Sequence, residues 1–321
     1  MSRGRLTLAA AFAAIALGVT LAALGAMPPA RAQDDPTPTL APLVTPVMGS
    51  FDPAAVEDVD LSEIPVVPEL SDTARAILLE SIAQGRDPHA FVKVGDCMTE
   101  DPAFLYPLAE GEIDWGEYEG LQVVVEHYAQ ADENPFGRKS QAAAGGFNAA
   151  SVIDTMWANP EFCEAGETPL SCELRLMNPA VAVIMFGTND VFYLDEAQFD
   201  YFLRSVLVEA VEAGTLPVLS TFPLRPEFPE KTEVFNRIVA QAADDYDLPL
   251  INLWRALEPL PNQGVDPEDT THLTSPDEGT AAQFTDEALE TGFAVRNLVT
   301  LQALEAVVEQ LAISEEQRKS P

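Results

Sequence analysis

Two short segments of the chain carry residue types that together could perform nucleophilic chemistry. The first, FVKVGDCMTE (91–100), places Cys97 after an apolar run and a Gly-Asp pair. The second, DPEDTTHLT (266–274), spaces Asp269 and His272 three residues apart. A thiol can act as a nucleophile when an imidazole takes its proton, and a carboxylate can hold that imidazole in position. The residues are far apart in sequence, so a fold must bring them together.

Apolar runs alternate with amphipathic stretches along most of the chain, and this pattern predicts an α/β fold. Five strands are predicted, at 90–94, 121–128, 180–186, 215–222 and 248–254. Helices are predicted at 71–86, 148–158, 196–214, 231–246 and 285–312, with Ser71 and Thr285 as caps. Continuous apolar strands separated by helices indicate a doubly wound parallel sheet in a single domain. Ligands of such sheets bind beyond the carboxyl ends of the strands.

Two further segments lie at predicted strand ends, where chemistry is expected. FGTND (186–190) ends the third predicted strand and contains Asn189. AAAGGFNAAS (142–151) follows the second predicted strand and contains the pair Gly145 and Gly146. An Asn side chain and the backbone N–H of a glycine are donors that could stabilise an oxyanion.

In this order and at these strand ends, the four segments resemble the sequence blocks of the SGNH (GDSL-type) hydrolases, over Phe91 to about Leu311. The resemblance implies a flavodoxin-like sheet and hydrolysis of acyl esters. It implies that His272 is the general base toward residue 97 and that Asp269 orients the imidazole. It also implies an oxyanion hole made by Asn189 and the backbone N–H groups of Cys97 and Gly146, although the sequence leaves the choice between Gly145 and Gly146 open.

The chain departs from that family at its nucleophile, which is serine there and Cys97 here. No serine in the chain follows another Gly-Asp pair. A thiol beside a helix start and a histidine is expected to form an ion pair with His272 and so to be a thiolate at neutral pH. Sulfur is larger than oxygen and is a better leaving group. An enzyme with Cys97 as its nucleophile should therefore hydrolyse thioesters or activated esters faster than ordinary oxygen esters. Three interpretations remain: a cysteine hydrolase, a catalytically degenerate binding protein, or a site with an oxidisable or merely packed thiol.

Composition and charge limit the location and partners of the protein. Residues 1–32 have arginines before a long apolar run and end in Ala-Arg-Ala, which predicts a secretory signal peptide, or else an uncleaved membrane anchor. Residues 33–68 form a Pro- and acid-rich extended segment, and 69–321 form the hydrolase-like domain. The net charge of −35 disfavours nucleic acid and anionic membrane surfaces as partners. We expect a small acyl ester, or an acylated carbohydrate or lipid, as substrate.

Three cysteines are an odd number for an exported protein. Cys163 and Cys172 lie close together in a polar stretch and are expected to form a disulfide, leaving Cys97 as the free thiol; a different pairing that uses Cys97 is the alternative. Cysteine and histidine spacing does not fit a zinc site, and no cofactor-binding fingerprint occurs, so we expect no metal and no cofactor. A monomer is expected.

Overall fold

The computed structural model describes residues 45–319 except 48, 111 and 278, and side chains up to residue 314. Its contacts divide the chain into two units, Met1–Thr39 and Leu40–Pro321, and every described residue belongs to the second. The predicted signal peptide (1–32) lies outside the described residues. Within them, no helix is both long and apolar enough to cross a membrane.

A parallel sheet lies at the centre of the fold, with the strand order β1-β2-β3-β4. Its strands are β1 (Asp87–Gly95), β2 (Pro179–Met185), β3 (Leu216–Ser220) and β4 (Leu250–Ile251). Every residue of β2 is buried, so helices cover both faces of the sheet, as its continuous apolar sequence predicts. The predicted α/β, doubly wound fold is confirmed, but the strand count of five is wrong because the described residues form a sheet of four.

Eleven α-helices surround the sheet in the described part of the chain. They are α1 (Pro53–Glu57), α2 (Asp72–Ala83), α3 (Cys97–Glu100), α4 (Pro107–Glu110), α5 (Gln122–Tyr128), α6 (Pro169–Met177), α7 (Asp190–Tyr193), α8 (Glu196–Glu212), α9 (Pro229–Asp245), α10 (Leu253–Leu257) and α11 (Gly292–Lys319). Ser71 caps α2 as predicted, since its hydroxyl oxygen accepts a hydrogen bond from the Ala74 N–H at 3.0 Å. Helix α2 contacts β2 and β3, α6 contacts β1, and α11 contacts β4.

The missing strand is the segment 121–128, in which Leu121 ends a 3-10 turn and the remaining residues form the helix α5. Its β-branched residues favour a strand by propensity. Its burial has helical spacing instead, because Leu121, Val124 and Tyr128 are buried whereas Val123 is 48% exposed. Tertiary packing therefore overrides propensity in this short segment.

Two predicted helices also differ from the structure. The segment 148–158 forms two short 3-10 turns, Ser151–Ile153 and Thr155–Trp157, rather than one α-helix. Thr285 does cap a turn, accepting a hydrogen bond from the Ala288 N–H at 3.3 Å, but α11 begins only at Gly292. Both segments contain cap-forming residues at which a longer helix is interrupted.

One parallel bridge, between Gly95 and Ala143, lies at the free edge of β1. The Gly95 N–H donates to the Ala142 carbonyl at 3.0 Å, and the Ala144 N–H donates to the Gly95 carbonyl at 3.4 Å. This bridge takes the place that a second strand would have at that edge. It also brings the Gly145-Gly146 loop next to the turn that follows β1.

Candidate active site

The first strand ends in a turn that places Cys97 at the carboxyl edge of the sheet. Asp96 caps α3, because its Oδ1 accepts a hydrogen bond from the Met98 N–H at 3.0 Å, and Cys97 is the first residue of that helix. Gly95 is needed in this turn, since a Cβ there would lie 2.3 Å from Thr99 Oγ1. The Gly-Asp pair therefore fixes the backbone that carries the thiol.

A buried arginine from α11 packs against this turn. The Arg296 guanidinium donates to the Met98 carbonyl and, at 3.0 Å, to Thr99 Oγ1, and it lies 3.6 Å from the centroid of the Phe104 ring. Burial raises the pKa of Asp96 to about 6, and the positive charge of Arg296 acts against that rise. The turn at residues 95–98, here named the nucleophile turn for the predicted role of Cys97, is thus built on charged groups inside the core.

The Cys97 thiol is half-buried, and its environment favours the protonated form. Burial first, and then the negative charge of Asp96, raise the pKa of Cys97 to about 12, although the Met98 N–H and the Arg225 guanidinium act in the opposite direction. The expectation of a preformed thiolate is therefore wrong. It failed because α3 is only four residues long and an acidic side chain precedes the cysteine.

The predicted base and its orienting acid lie together on a surface loop after α10, residues 266–274, here named the base loop. His272 Nδ1 is 2.8 Å from Asp269 Oδ2, and the His272 N–H donates to the Asp269 carbonyl at 2.9 Å. The hydrogen bond with His272 lowers the pKa of Asp269. This contact leaves Nε2 as the ring nitrogen that can take a proton, as an imidazole oriented by a carboxylate requires.

Cys97 and His272 line the same cavity, which has a volume of about 710 Å³. The other lining residues are Glu100, Asp101, Pro102, Tyr106, Pro107, Glu110, Lys139 and Thr280. The nucleophile turn and the base loop therefore meet at one concave surface, although 175 positions separate the two residues in sequence. Such a cavity is large enough for a small acyl substrate.

The residues that the sequence suggests for an oxyanion hole lie at the same end of the sheet. Asn189 Nδ2 donates to the Phe147 carbonyl at 2.8 Å, which leaves one of its two amide hydrogens for another acceptor. The Gly145 N–H donates to Glu100 Oε2 at 2.5 Å, whereas the exposed Gly146 N–H donates to no described residue. Between the two glycines left open by the sequence, Gly146 is thus the one with a free donor.

Buried and surface contacts hold these loops in place. Asp190 accepts hydrogen bonds from the Ala149 and Gly187 N–H groups, both at 2.8 Å, and burial raises its pKa to about 7. These bonds join the loop after Gly146 to the end of β2. On the other side, Thr270 donates to the Glu227 carboxylate, which connects the base loop to the loop after β3.

Sequence reasoning missed three residues that contribute to this region. Glu100 and Lys139 line the cavity as an ion pair with an Oε1–Nζ distance of 2.9 Å, and Arg296 is the buried cation beside the turn. No motif marks these residues. Only Glu100 could have been suspected from the sequence. It lies three residues after Cys97, so on a helix it faces the same side as Cys97.

The predicted disulfide between Cys163 and Cys172 is confirmed, with a Cα–Cα distance of 5.2 Å, and Cys97 is a free thiol. Cys172 belongs to α6 rather than to a loop, and Thr168 caps that helix. Glu167 lies beside the two sulfurs in a grouping that could suit a metal ion. Because both sulfurs are in the disulfide, they are not available there as thiolate ligands.

Comparison with solved structures finds several matches, among them esterases and a hydrolase. The psychrotrophic esterase EstA from Pseudoalteromonas sp. is 14% identical, with 69% of this chain and 98% of that chain covered and a TM-score of 0.40. An acetylxylan esterase from Geobacillus stearothermophilus is 14% identical, with 67% and 93% covered and a TM-score of 0.42. LAE5, an alpha/beta hydrolase from the metagenome of Lake Arreo, Spain, is 14% identical, with 68% and 95% covered and a TM-score of 0.43.

No curated protein matches the chain significantly. The model of the GDSL-like lipase/acylhydrolase family matches residues 126–276. This range includes the glycine loop, Asn189, Asp269 and His272, and it begins after Cys97. The match and the parallel α/β fold agree with the resemblance seen in the sequence blocks, and residues 126–276 are thus similar to the GDSL-like lipase/acylhydrolase family.

Proposed function

We propose that this protein hydrolyses small acyl esters or thioesters, or transfers their acyl group, with Cys97 as the nucleophile. The observation that supports this proposal best is the cavity shared by Cys97 and His272, with His272 oriented by Asp269 at 2.8 Å. A family of acyl hydrolases supplies the reaction class. Cys97, in the position where that family has a serine, is what distinguishes this chain from the family.

In the proposed reaction, the thiol is protonated at rest, because its pKa is about 12. His272 Nε2 removes the thiol proton as sulfur attacks the acyl carbonyl carbon, so deprotonation and attack occur together. The backbone N–H groups of Cys97 and Gly146 and the second amide hydrogen of Asn189 bind the resulting oxyanion. The imidazolium then protonates the leaving alcohol or thiol, and water releases the acyl group from Cys97 with His272 again as base.

Thioesters are the preferred substrates in this scheme. The tetrahedral adduct on Cys97 can expel either the cysteine sulfur or the leaving group of the substrate. A thiolate leaves more readily than an alkoxide, so an oxygen ester returns to the starting state more often than a thioester does. Acylated carbohydrates are ordinary oxygen esters and are therefore the less favoured candidates, and the net charge of −35 disfavours polyanionic substrates.

We place the site outside the cytoplasm. The Cys163–Cys172 disulfide is of a kind that persists in oxidising compartments. The charged and apolar pattern of residues 1–32 fits export. Cleavage of this segment would release the protein, and retention would tether it.

A second candidate function is binding without catalysis. The raised pKa of Cys97 favours it, because a thiol that ionises only near pH 12 is a poor nucleophile unless the base acts during attack. In that case the cavity would hold an acylated ligand that it does not cleave.

The decisive experiment compares Cys97→Ser and Cys97→Ala with the wild type on p-nitrophenyl acetate and on a simple acetyl thioester. We expect Cys97→Ala to lose at least about 100-fold in kcat/KM, and we expect the ratio of thioester to oxygen-ester activity to be higher in the wild type than in Cys97→Ser. Ser275→Ala is the matched control, since Ser275 is the serine nearest to His272 in sequence.

Three outcomes would contradict the proposal. Full activity in Cys97→Ala would move the nucleophile elsewhere. Activity in Cys97→Ser alone would show a site disabled by its cysteine. Inactivity of all variants, combined with saturable binding of an acylated ligand, would establish the binding function.

A further inference from the structure

We propose that Glu100 is a positioning residue for the oxyanion hole: its carboxylate anchors the Gly145 N–H and so orients the neighbouring Gly146 N–H toward the reacting acyl oxygen. This inference rests on the proposed function, since it assigns a role to Gly146 in that reaction. Glu100 lies on α3, three residues after Cys97, and lines the cavity that contains Cys97 and His272.

The contacts of the glycine loop show why an anchor is needed. Before the glycines, the Ala144 N–H is bound to the Gly95 carbonyl at 3.4 Å. After them, the Phe147 carbonyl accepts a hydrogen bond from Asn189 at 2.8 Å. Gly145 and Gly146 themselves have no side chains, and a Cβ at Gly146 would meet no atom within 4 Å. The Phe147 N–H also donates to the Ala144 carbonyl at 3.1 Å and closes a turn around the two glycines, but two successive exposed glycines can adopt more than one turn conformation within that closure.

The Glu100 carboxylate supplies the contact within the pair. Its Oε2 accepts the Gly145 N–H at 2.5 Å, which is the one hydrogen bond to a described residue that either glycine N–H makes. Fixing the Ala144–Gly145 peptide unit leaves only the φ and ψ angles of Gly145 between this anchor and the Gly146 N–H, and so restricts the direction of that N–H. A donor that is fixed before the reaction costs no reorganisation when the oxyanion forms.

A carboxylate so close to an oxyanion hole would normally oppose the negative charge that develops there. Lys139 compensates for it, because its Nζ lies 2.9 Å from Glu100 Oε1. Burial disfavours ionisation of Glu100, but the hydrogen bonds from Lys139 and Gly145, together with the charge of Lys139, outweigh burial and lower the pKa of Glu100. Glu100 is therefore an ionised acceptor whose charge is balanced by its neighbour.

The test measures loop order without substrate and turnover with it, in Glu100→Ala, Glu100→Gln and Lys139→Met. The first readout is the hydrogen-exchange rate of the Gly145 amide by NMR, and the second is kcat and KM on the acetyl thioester. We expect Glu100→Ala to raise the exchange rate of Gly145 about tenfold or more and to lower kcat about tenfold with little change in KM. Glu100→Gln keeps an acceptor oxygen and should recover most of both properties, whereas Lys139→Met should lower kcat only a few-fold.

Glu126→Ala is the matched control, because Glu126 also accepts a side-chain hydrogen bond, from Gln122 at 2.7 Å, but lies on α5 outside the cavity. The proposal is overturned if Glu100→Ala leaves Gly145 exchange unchanged, if kcat does not fall when exchange rises, or if Glu100→Gln behaves like Glu100→Ala. Exchange needs no substrate, so it tests the anchor even in an inactive protein. Inactivity of the wild type, with Gly145 protected, would refute the catalytic role and the proposed function while leaving the anchor intact.

Discussion

The nucleophile turn and the base loop face one cavity but are stabilised in different ways. The turn is packed into the core: Asp96 and Arg296 are almost completely buried, and α11 contacts the turn through a charged side chain. The loop that carries Asp269 and His272 lies at the surface, and the Asp269 side chain is 56% exposed. One half of the site is thus part of the folding core, whereas in the other half the side chains of Asp269 and His272 lie at the surface and only the neighbouring Leu273 is buried.

Because of this difference, substitutions in the two halves of the site should change different properties of the protein. Substitutions in the charged network of the turn should change the free energy of unfolding, since buried charged groups lose compensation when a partner is removed. Substitutions around the base loop should change the rate of reaction and leave the free energy of unfolding nearly unchanged, as expected for exposed polar contacts.

The largest effect is expected for Arg296→Met. This change removes the donors to the Met98 carbonyl and Thr99 Oγ1 and leaves Asp96 buried without the cation that offsets its burial. We expect a loss of about 3 kcal/mol or more in the free energy of unfolding, measured by urea denaturation. The control is Arg75→Met in α2, an arginine whose ion pair with Asp72 is exposed and whose loss should cost less than about 0.5 kcal/mol. Equal stability of Arg296→Met and wild type would refute the view that the turn belongs to the folding core.

A second prediction concerns pH and Lys93, a buried residue of β1 whose Nζ lies 3.3 Å from the centroid of the Tyr106 ring. Burial lowers the pKa of Lys93 from 10.5 to about 7, while the negative charge of Glu173 acts in the opposite direction. Between pH 7 and 10 the unfolded chain therefore binds a proton that the folded protein does not bind. The contribution of Lys93 makes stability rise with pH across this range, by about 1 kcal/mol per pH unit, and remain constant below it.

Lys93→Met should remove this contribution. The measurement is the difference in unfolding free energy between Lys93→Met and wild type at pH 7, 8.5 and 10. The same substitution at Lys231, a partly exposed lysine of α9, serves as the control for losing a lysine as such. If the difference between Lys93→Met and wild type does not change with pH, the lysine is hydrated in solution and the turn side of the molecule is less dry than its packing indicates.

The same contrast explains what the sequence could and could not predict. Strands β1 and β2 were predictable, because burial on both faces requires a continuous apolar run. The segment 121–128 misled because three successive valines favour a strand, while the position of the segment against the core selects a helix. The pairing of Asp269 with His272 could be read from spacing, because both residues lie within one short loop.

Contacts between distant segments were not predictable in this way. The Glu100–Gly145 hydrogen bond spans 45 positions, and the Arg296–Thr99 contact spans 197. A motif records residue types at fixed local spacing, and neither contact has one. The protonation of Cys97 depends on how deeply the turn is buried and on the ionisation of Asp96, so it too required the fold.

The smallest effect tests the exposed half, at the hydrogen bond from Thr270 to Glu227. Thr270→Val removes the donor that connects the base loop to the loop after β3, whereas Thr270→Ser keeps a hydroxyl that can donate to the same carboxylate. Both variants leave the ion pair between Glu227 and the buried Arg225 in place. We expect Thr270→Val to lower kcat on the acetyl thioester about two- to fivefold, because His272 is held less firmly, while KM and the unfolding free energy remain close to those of the wild type. Thr270→Ser should be close to the wild type in all three quantities. A loss of more than about 1 kcal/mol in stability for Thr270→Val would contradict the comparison itself, since the base loop would then contribute to the core as the nucleophile turn does.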